Sequence, residues 1–325
     1  MTREFTDTPA KRDRVPLLIG LISPSGAGKT YSALRLATGI VSVSGGEVFG
    51  VDTEANRMKH YAWDPERKTG FHFRHVPMVA PFNPLSYLDA IMYCVKRGAG
   101  CVIVDSFSHE HEGVGGVLDM HEREVDRMSN NSDNYKERQK HAARGWIKPK
   151  RERVTMINGI VQTMCNFIFC FRASQKLDWK HKQASGEPTD QGWQPIGAMP
   201  LVYEMTARAL FYPGAEGVPD WNPQIAAERE LIKRPEQFRD LFERHKGKPV
   251  SEDMGAEMAR WACGVDAPSS SEFSETVAAI AMAADMASLE ALIPRLDDAK
   301  KRVTSQQLRQ LRDAYAQQKS KLQNG

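Results

Sequence analysis

No run in the 325-residue chain approaches the ~18 consecutive apolar residues of a membrane-crossing helix, so no membrane span is predicted. The first 14 residues are charged and have no apolar centre, which predicts a loose arm instead of a signal peptide. The five cysteines (Cys94, Cys101, Cys165, Cys170 and Cys263) lie mostly inside apolar runs and form no C-x-x-C pair. That pattern argues against a disulfide framework or a zinc ribbon and for buried, reduced thiols in a cytoplasm. Neither sign of charge dominates: 44 Lys and Arg against 41 Asp and Glu leave +3, too little for bulk charge to imply nucleic acid. Internal repeats and low-complexity segments are missing too. What remains is ordinary globular composition, 41% hydrophobic and 26% charged, in a chain long enough for one large α/β domain and a small appendage.

The most informative stretch is Ser23-Pro24-Ser25-Gly26-Ala27-Gly28-Lys29-Thr30, set between an apolar run (17–22) and an amphipathic run (31–40). It reads as a P-loop. Glycines let backbone N–H groups turn inward around phosphate oxygens, and the following helix N-terminus adds partial positive charge. Ser25, Gly26, Ala27, Gly28, Lys29, Thr30 and Tyr31 are the predicted nucleotide-binding residues, with Lys29 reaching the β/γ-phosphates and Thr30 ligating Mg²⁺. Ser23 stands where the pattern has a tightly turning glycine, and serine is small enough to be tolerated.

Further along, 47–51 reads as a strand ending in Asp52-Thr53-Glu54, 73–76 as a third strand, and Pro84 opens a helix stopped by Gly98 and Gly100. Cys101-Val102-Ile103-Val104-Asp105 is a buried strand whose last residue presents an acid, as a Walker B segment presents its carboxylate to Mg²⁺. A long polar insertion (108–153) leads to a helix with Val154, Ile157, Val161 and Met164 on one face, then to a strand at 167–171. A second polar loop (176–199), a short helix near 201–205, strands at 207–212 and 231–235, and helices at 235–245 and 251–262 complete the domain. The Pro-Ser-rich 266–272 reads as a linker to a C-terminal helical segment, 273–325, whose last helix starts in a capping box at Thr304. In that helix Leu308, Leu311, Tyr315 and Leu322 keep a spacing suited to a packed helical hairpin.

Asp52-Thr53-Glu54 separates the P-loop classes, because a glutamate at the end of the second strand resembles the RecA-like arrangement, whereas here Ser106 follows Asp105. The chain is similar to phage and prophage RecA-like ATPases, including the Sak-type single-strand annealing ATPases, often labelled AAA family ATPase. The likeness rests on Val51-Asp52-Thr53-Glu54, Phe169-Cys170-Phe171-Arg172-Ala173, Gly192-Trp193-Gln194-Pro195-Ile196-Gly197 and Tyr203-Glu204-Met205-Thr206. It implies a RecA-like P-loop core at 15–265, α/β with a mainly parallel twisted sheet flanked by helices. It also implies Glu54 as catalytic base assisted by Lys29, Asp105 with Thr30 at Mg²⁺, and ATP as nucleotide. Arg172 and Gln175 fall where such proteins keep a γ-phosphate sensor, although Arg172 replaces the polar amide of the pattern. Lys233 and Arg234 fall where basic residues act on a neighbouring subunit's nucleotide.

The same resemblance implies DNA-binding loops in the two polar insertions. Residues 136–153 hold eight Lys or Arg against two Glu, with Trp146 inside, suited to tracking phosphates while an aromatic stacks on a base. Arg144, Trp146, Lys148, Lys150, Arg151 and Arg153, with Trp179 and Lys180 of the second loop, are the candidates; a solvated basic helix is the plain alternative. His109-Glu110-His111-Glu112 alternates like a metal motif but lacks the further ligands of a closed zinc site. The expectation is therefore a Mg²⁺-dependent ATPase of phage recombination in the host bacterial cytoplasm. It would bind single-stranded DNA and promote annealing or strand pairing as a homo-oligomeric ring or filament, with a single-strand binding protein as candidate partner. The alternative is a P-loop ATPase acting on a protein partner, such as a helicase loader or regulator, without direct DNA binding.

Overall fold

The computed structural model describes residue 7 and residues 15–182, 187–197, 199–264, 270–300 and 305–324. Its contacts divide the chain into two units, residues 16–256 and a second made of 1–15 with 257–325.

The larger unit begins with β1 (Leu18–Ser23), α1 (Lys29–Ser44), β2 (Glu47–Asp52), a 3-10 turn (Arg57–Tyr61), β3 (Arg74–Pro77), α2 (Pro84–Lys96) and β4 (Ala99–Asp105). Four helices follow, α3 (His109–Glu112), α4 (Val117–Met128), α5 (Tyr135–Gly145) and α6 (Ile147–Val161). Then come β5 (Asn166–Lys182), β6 (Pro188–Pro195), α7 (Met199–Glu204), β7 (Ala207–Leu210), α8 (Ala226–Leu231) and α9 (Arg239–Arg244). The sheet has seven strands in the order β3-β2-β4-β5-β1-β7, with β6 on the outer part of β5. Every pairing is parallel except β5 with β6. The protein is thus α/β, with a mainly parallel sheet flanked by helices.

Continuous apolar runs explain the central strands. Leu18–Ser23 is buried throughout, as is the Phe167 to Phe171 part of β5, because strands covered by helices on both faces have no wet side to fill with polar residues. Tyr87, Phe107, Phe169 and Phe171 meet in edge-on and tilted contacts, with ring centroids 5.1 to 5.7 Å apart. Each such ring removes enough apolar surface from water to stabilise the fold by roughly 1.5–3 kcal/mol. The connection leaving β1 runs toward β2 while that leaving neighbouring β5 runs toward β7. Loops therefore diverge over the carboxyl ends of these strands, where open α/β sheets leave a crevice.

Three segments differ from the expectations. The polar insertion is four helices, with Val117 and Val125 of α4 and Met156, Ile157 and Ile160 of α6 buried and ion pairs tying α4 to α5 and α6. Residues expected as a polar loop at 176–199 instead extend β5 to Lys182 and return as β6. This hairpin is held by a backbone ladder with few apolar residues, so it carries no alternation signal. The strand expected at 231–235 is not formed. The Ala-Glu-Arg-rich 226–231 takes the helical state its residues prefer, and Lys233 makes a single bridge to Arg208.

The second unit holds the end of α10 (Glu252–Ala262), then α11 (Ser270–Met282), α12 (Met286–Glu290), α13 (Ile293–Lys300) and α14 (Ser305–Asn324). Ile280, Ala283, Leu289 and Leu311 form its small core, with Tyr315 and Leu322 packed on it. Thr304, the expected cap of the last helix, lies outside the described residues, as does most of the expected linker. Asp285 instead caps α12 reciprocally with Ser288. Among the described residues no helix is long and apolar enough to cross a membrane.

Candidate functional site

Parallel register brings chemically distinct residues to one edge of the sheet. Asp52 ends β2 beside Asp105 at the end of β4, and Ser23 ends β1 beside Arg172 of β5. From Ser23 the chain turns through Gly26 (φ 82°) and Gly28 (φ 90°) into α1. A side chain at Gly28 would need left-handed backbone and would put its Cβ 2.8 Å from the Gly217 nitrogen. No side chain caps α1, so the N–H groups of its first turn remain available to an anion.

Lys29 is only 9% exposed and donates through Nζ to Ser23 Oγ at 3.1 Å and Ser23 O at 3.5 Å. The serine at the pattern's departure point is therefore a lysine acceptor. Thr30 Oγ1 donates to Asp105 Oδ2 at 2.5 Å. Burial pushes the Asp105 carboxyl up to about 6, with Glu54 and Asp52 adding to the rise and Lys29 and Thr30 opposing it. A buried carboxylate that resists ionisation beside a threonine hydroxyl is a donor set that a hard divalent cation would relieve.

Glu54 is placed by its neighbours. Asp52 accepts from the Glu54 and Met58 N–H groups at 2.7 and 3.0 Å and contacts His75 Nε2 at 3.0 Å, which pins the turn after β2. Glu54 Oε1 then accepts from Arg172 Nε and Nη2 at 3.1 and 2.9 Å. The Arg172 N–H donates to Ser108 Oγ at 2.9 Å. Thr53 Oγ1 accepts from Ser106 N at 2.8 Å and contacts His109 Nδ1 at 2.8 Å. Burial, and then Arg172, hold the His109 imidazole below its ordinary pKa.

Ser25, Gly26, Gly28, Lys29, Thr30, Asp52, Glu54, Asp105 and Arg172 all line one cavity of about 300 Å³. Arg57, Met58, His60 and Tyr61 line it too. Sequence reasoning missed these four; the available signal was their place directly after Glu54, on a 3-10 turn that folds back over the strand ends. Tyr31 is exposed beside Tyr61, with ring centroids 5.9 Å apart. Ala27 is buried beneath the loop.

Other candidates lie elsewhere. Gln175 is exposed on β5 opposite Trp193. Lys233 is half-buried and donates to the Met205 carbonyl at 2.5 Å, Arg234 is exposed, and neither lines the cavity. In the basic segment, Arg138 pairs with Glu122 at 2.8 Å and with Asp126, Lys140 with Glu137 at 2.6 Å, and Lys148 with Glu124 at 3.3 Å. Arg153 clamps the fully buried Glu110 through bonds of 2.9 and 2.7 Å. Trp146 stacks on His121 at 4.1 Å. Lys136, Arg144, Lys150 and Arg151 are exposed. On the hairpin Trp179 is 65% exposed beside exposed Leu177, whereas the Lys180 side chain is outside the described residues.

The His-Glu-His-Glu run is split between duties, His109 on Thr53 and Glu110 on Arg153. Among the described residues no group of three or more His, Cys, Asp or Glu could hold a metal. Burial raises Cys94 to about 12 and pushes Cys101 and Cys170 well above the ordinary thiol range, so these sulfurs are inert. No protein-family model matches the chain, and comparison with curated proteins gave no match.

Proposed function

We propose that the chain is an Mg²⁺-dependent ATPase with a RecA-like P-loop core, acting on single-stranded DNA in phage recombination, by annealing or strand pairing. The observation that carries the nucleotide reading is the convergence of Lys29, Thr30, Asp105 and Glu54 on one cavity, under the uncapped start of α1. In this reading the N–H groups at 26–30 and Lys29 hold phosphate oxygens, and Lys29 exchanges its bonds to Ser23 for bonds to phosphate. Thr30 and Asp105 would hold Mg²⁺, which would neutralise phosphate charge. Tyr61, which lines the cavity with Tyr31 against its ring, would offer an apolar surface to a base ring.

Glu54 orients water and takes its proton once Arg172 releases it. A terminal phosphate is a strong competitor for that guanidinium. Arg172 therefore serves as sensor, trading Glu54 for phosphate and freeing the base when substrate is bound. Because Arg172 lies on β5, the trade is felt where the hairpin begins, and exposed Trp179 and Leu177 on that hairpin are the surface offered to unstacked bases. Lys233 and Arg234, which do not line the cavity, are assigned to the nucleotide of a neighbouring subunit in a ring or filament.

The test pairs two variants. Lys29→Ala is expected to lose nucleotide binding, whereas Glu54→Gln keeps binding and loses phosphate release. Equal phosphate release in Glu54→Gln and the parent protein would remove the base assignment.

A second reading, an ATPase acting on a protein partner such as a helicase loader, is favoured by the acids that neutralise Arg138, Lys140, Lys148 and Arg153. Salt-dependent binding of a single-stranded oligonucleotide separates the two.

A further inference from the structure

The hairpin of β5 and β6 is tied to the rest of the larger unit at both ends. At its outgoing end stands Arg172. At its returning end Trp193 N–H donates to Glu228 Oε1 at 2.7 Å. The other oxygen of this carboxylate, Oε2, accepts from the Tyr212 hydroxyl at 2.6 Å. Glu228 is 1% exposed, and both of these partners are neutral. The fit is close, since a Cβ at Gly192 (φ +61°) would lie 2.3 Å from Glu228 Oε1.

Tyr212 in turn begins the turn that seats the anion loop. Ala215 N–H donates to the Tyr212 carbonyl at 3.1 Å, and Gly217 N–H donates to the Ala27 carbonyl at 3.2 Å. The same Gly217 backbone is what closes off space above Gly28. A continuous path therefore runs from Trp193 on the hairpin through Glu228 and Tyr212 to Ala27 and Gly28.

We propose that Glu228 and Tyr212 are positioning residues that couple the returning strand of the hairpin to the phosphate-holding loop. The inference rests on the nucleotide reading above. A loop that tightens around phosphates fixes Gly217, hence the 212–217 turn, hence the hydroxyl that holds Glu228 against Trp193. Coupling of this kind is reciprocal, so whatever occupies the hairpin changes the affinity of the loop by the same factor. Neither residue touches the nucleotide cavity, so their effect is transmitted and not direct.

Amide hydrogen exchange, with and without Mg²⁺ and ATP, tests this on the full chain. In the parent protein, nucleotide is expected to slow exchange at 26–30 and also at 192–195, each by about threefold or more. Tyr212→Phe deletes one hydroxyl and leaves the Trp193–Glu228 bond in place. It should keep the loop protection and lose the nucleotide-dependent part at 192–195. Glu228→Ala should do the same, while Glu228→Gln, which can still accept from Trp193 and donate to Tyr212, should retain it. A merely structural role would raise exchange at 192–195 equally with and without nucleotide, and that result overturns the proposal. Loop protection without hairpin protection in the parent protein also overturns it. Absence of protection at both places overturns the nucleotide reading itself, and the coupling with it.

Discussion

At the carboxyl edge of the sheet, Lys29, Asp105 and Glu54 face a cavity, while on α4 to α6 Arg138, Lys140, Lys148 and Arg153 face acids of their own helix or of neighbouring elements. Both regions are rich in charge, yet the strand-end charges converge on one cavity, whereas in the insertion four cations are paired and Lys136, Arg144, Lys150 and Arg151 face solvent. The difference follows from how each is built. Parallel register forces strand ends together whatever their charge, and the resulting desolvation is visible in the raised Asp105 carboxyl. A helical insertion can turn a long side chain to the nearest opposite charge, as Arg138, Lys140, Lys148 and Arg153 do.

Arg153 is the cation of the helical insertion whose loss should cost most. Arg153→Ala would leave Glu110 fully buried without its cation, and breaking a buried pair from one side costs about 3–5 kcal/mol. Urea unfolding should register that loss. A loss under 1 kcal/mol would mean that Arg153 is free enough to serve a ligand after all.

The strand ends should respond in the opposite direction. Asp105→Asn is expected to stabilise the nucleotide-free protein by about 3 kcal/mol at pH 7.5, because each unit of raised pKa is a cost of ~1.4 kcal/mol in the ionised form. The sign follows from the raised value. With the folded carboxyl near 6 against an ordinary 3.8, its protonation favours the fold fully below pH 3.8, and that advantage is lost as pH rises through 6. The gain from asparagine should therefore shrink between pH 6 and 4, and thermal melts across that range check it. Phosphate release should be lost at every pH.

The smallest effect sharpens the contrast. Replacing Arg144, Lys150 and Arg151 together by glutamine should change stability by no more than ~0.5 kcal/mol per site, since all three are exposed. If oligonucleotide binding nevertheless keeps its salt slope in this variant, the hairpin and not the basic segment carries the DNA.

Much of the fold was legible. The runs at 17–22, 101–105 and 167–171 became β1, β4 and the inner half of β5, because a long apolar run bounded by turn residues fits a doubly covered strand. The strand-to-helix turn at 23–30 was legible from its glycines. Much of what escaped is held by polar forces. The β5–β6 hairpin is held by its backbone ladder, and α5 is tied to α4 through Arg138 with Glu122 and Asp126, which no hydrophobic period records; α4 does bury Val117 and Val125 on one face, a period that was overlooked. The residues at 231–235 misled because two apolar side chains before a proline look like a strand when the preceding helix formers are overlooked.

At the site, residue types and spacing determined which groups stand at or just beyond the end of an apolar run: Ser23, Asp52, Glu54, Asp105 and Arg172. That follows from local chemistry, although β5 itself runs on past Arg172 to Lys182. The meeting of Thr30 with Asp105 is expected from their motifs, but only the tertiary structure decided the others. Arg172 grips Glu54 across 118 positions of sequence, and Glu228 joins Trp193 to Tyr212. Such meetings depend on the order and register of strands, which arise from packing the whole sheet at once and leave no trace in any short window of sequence.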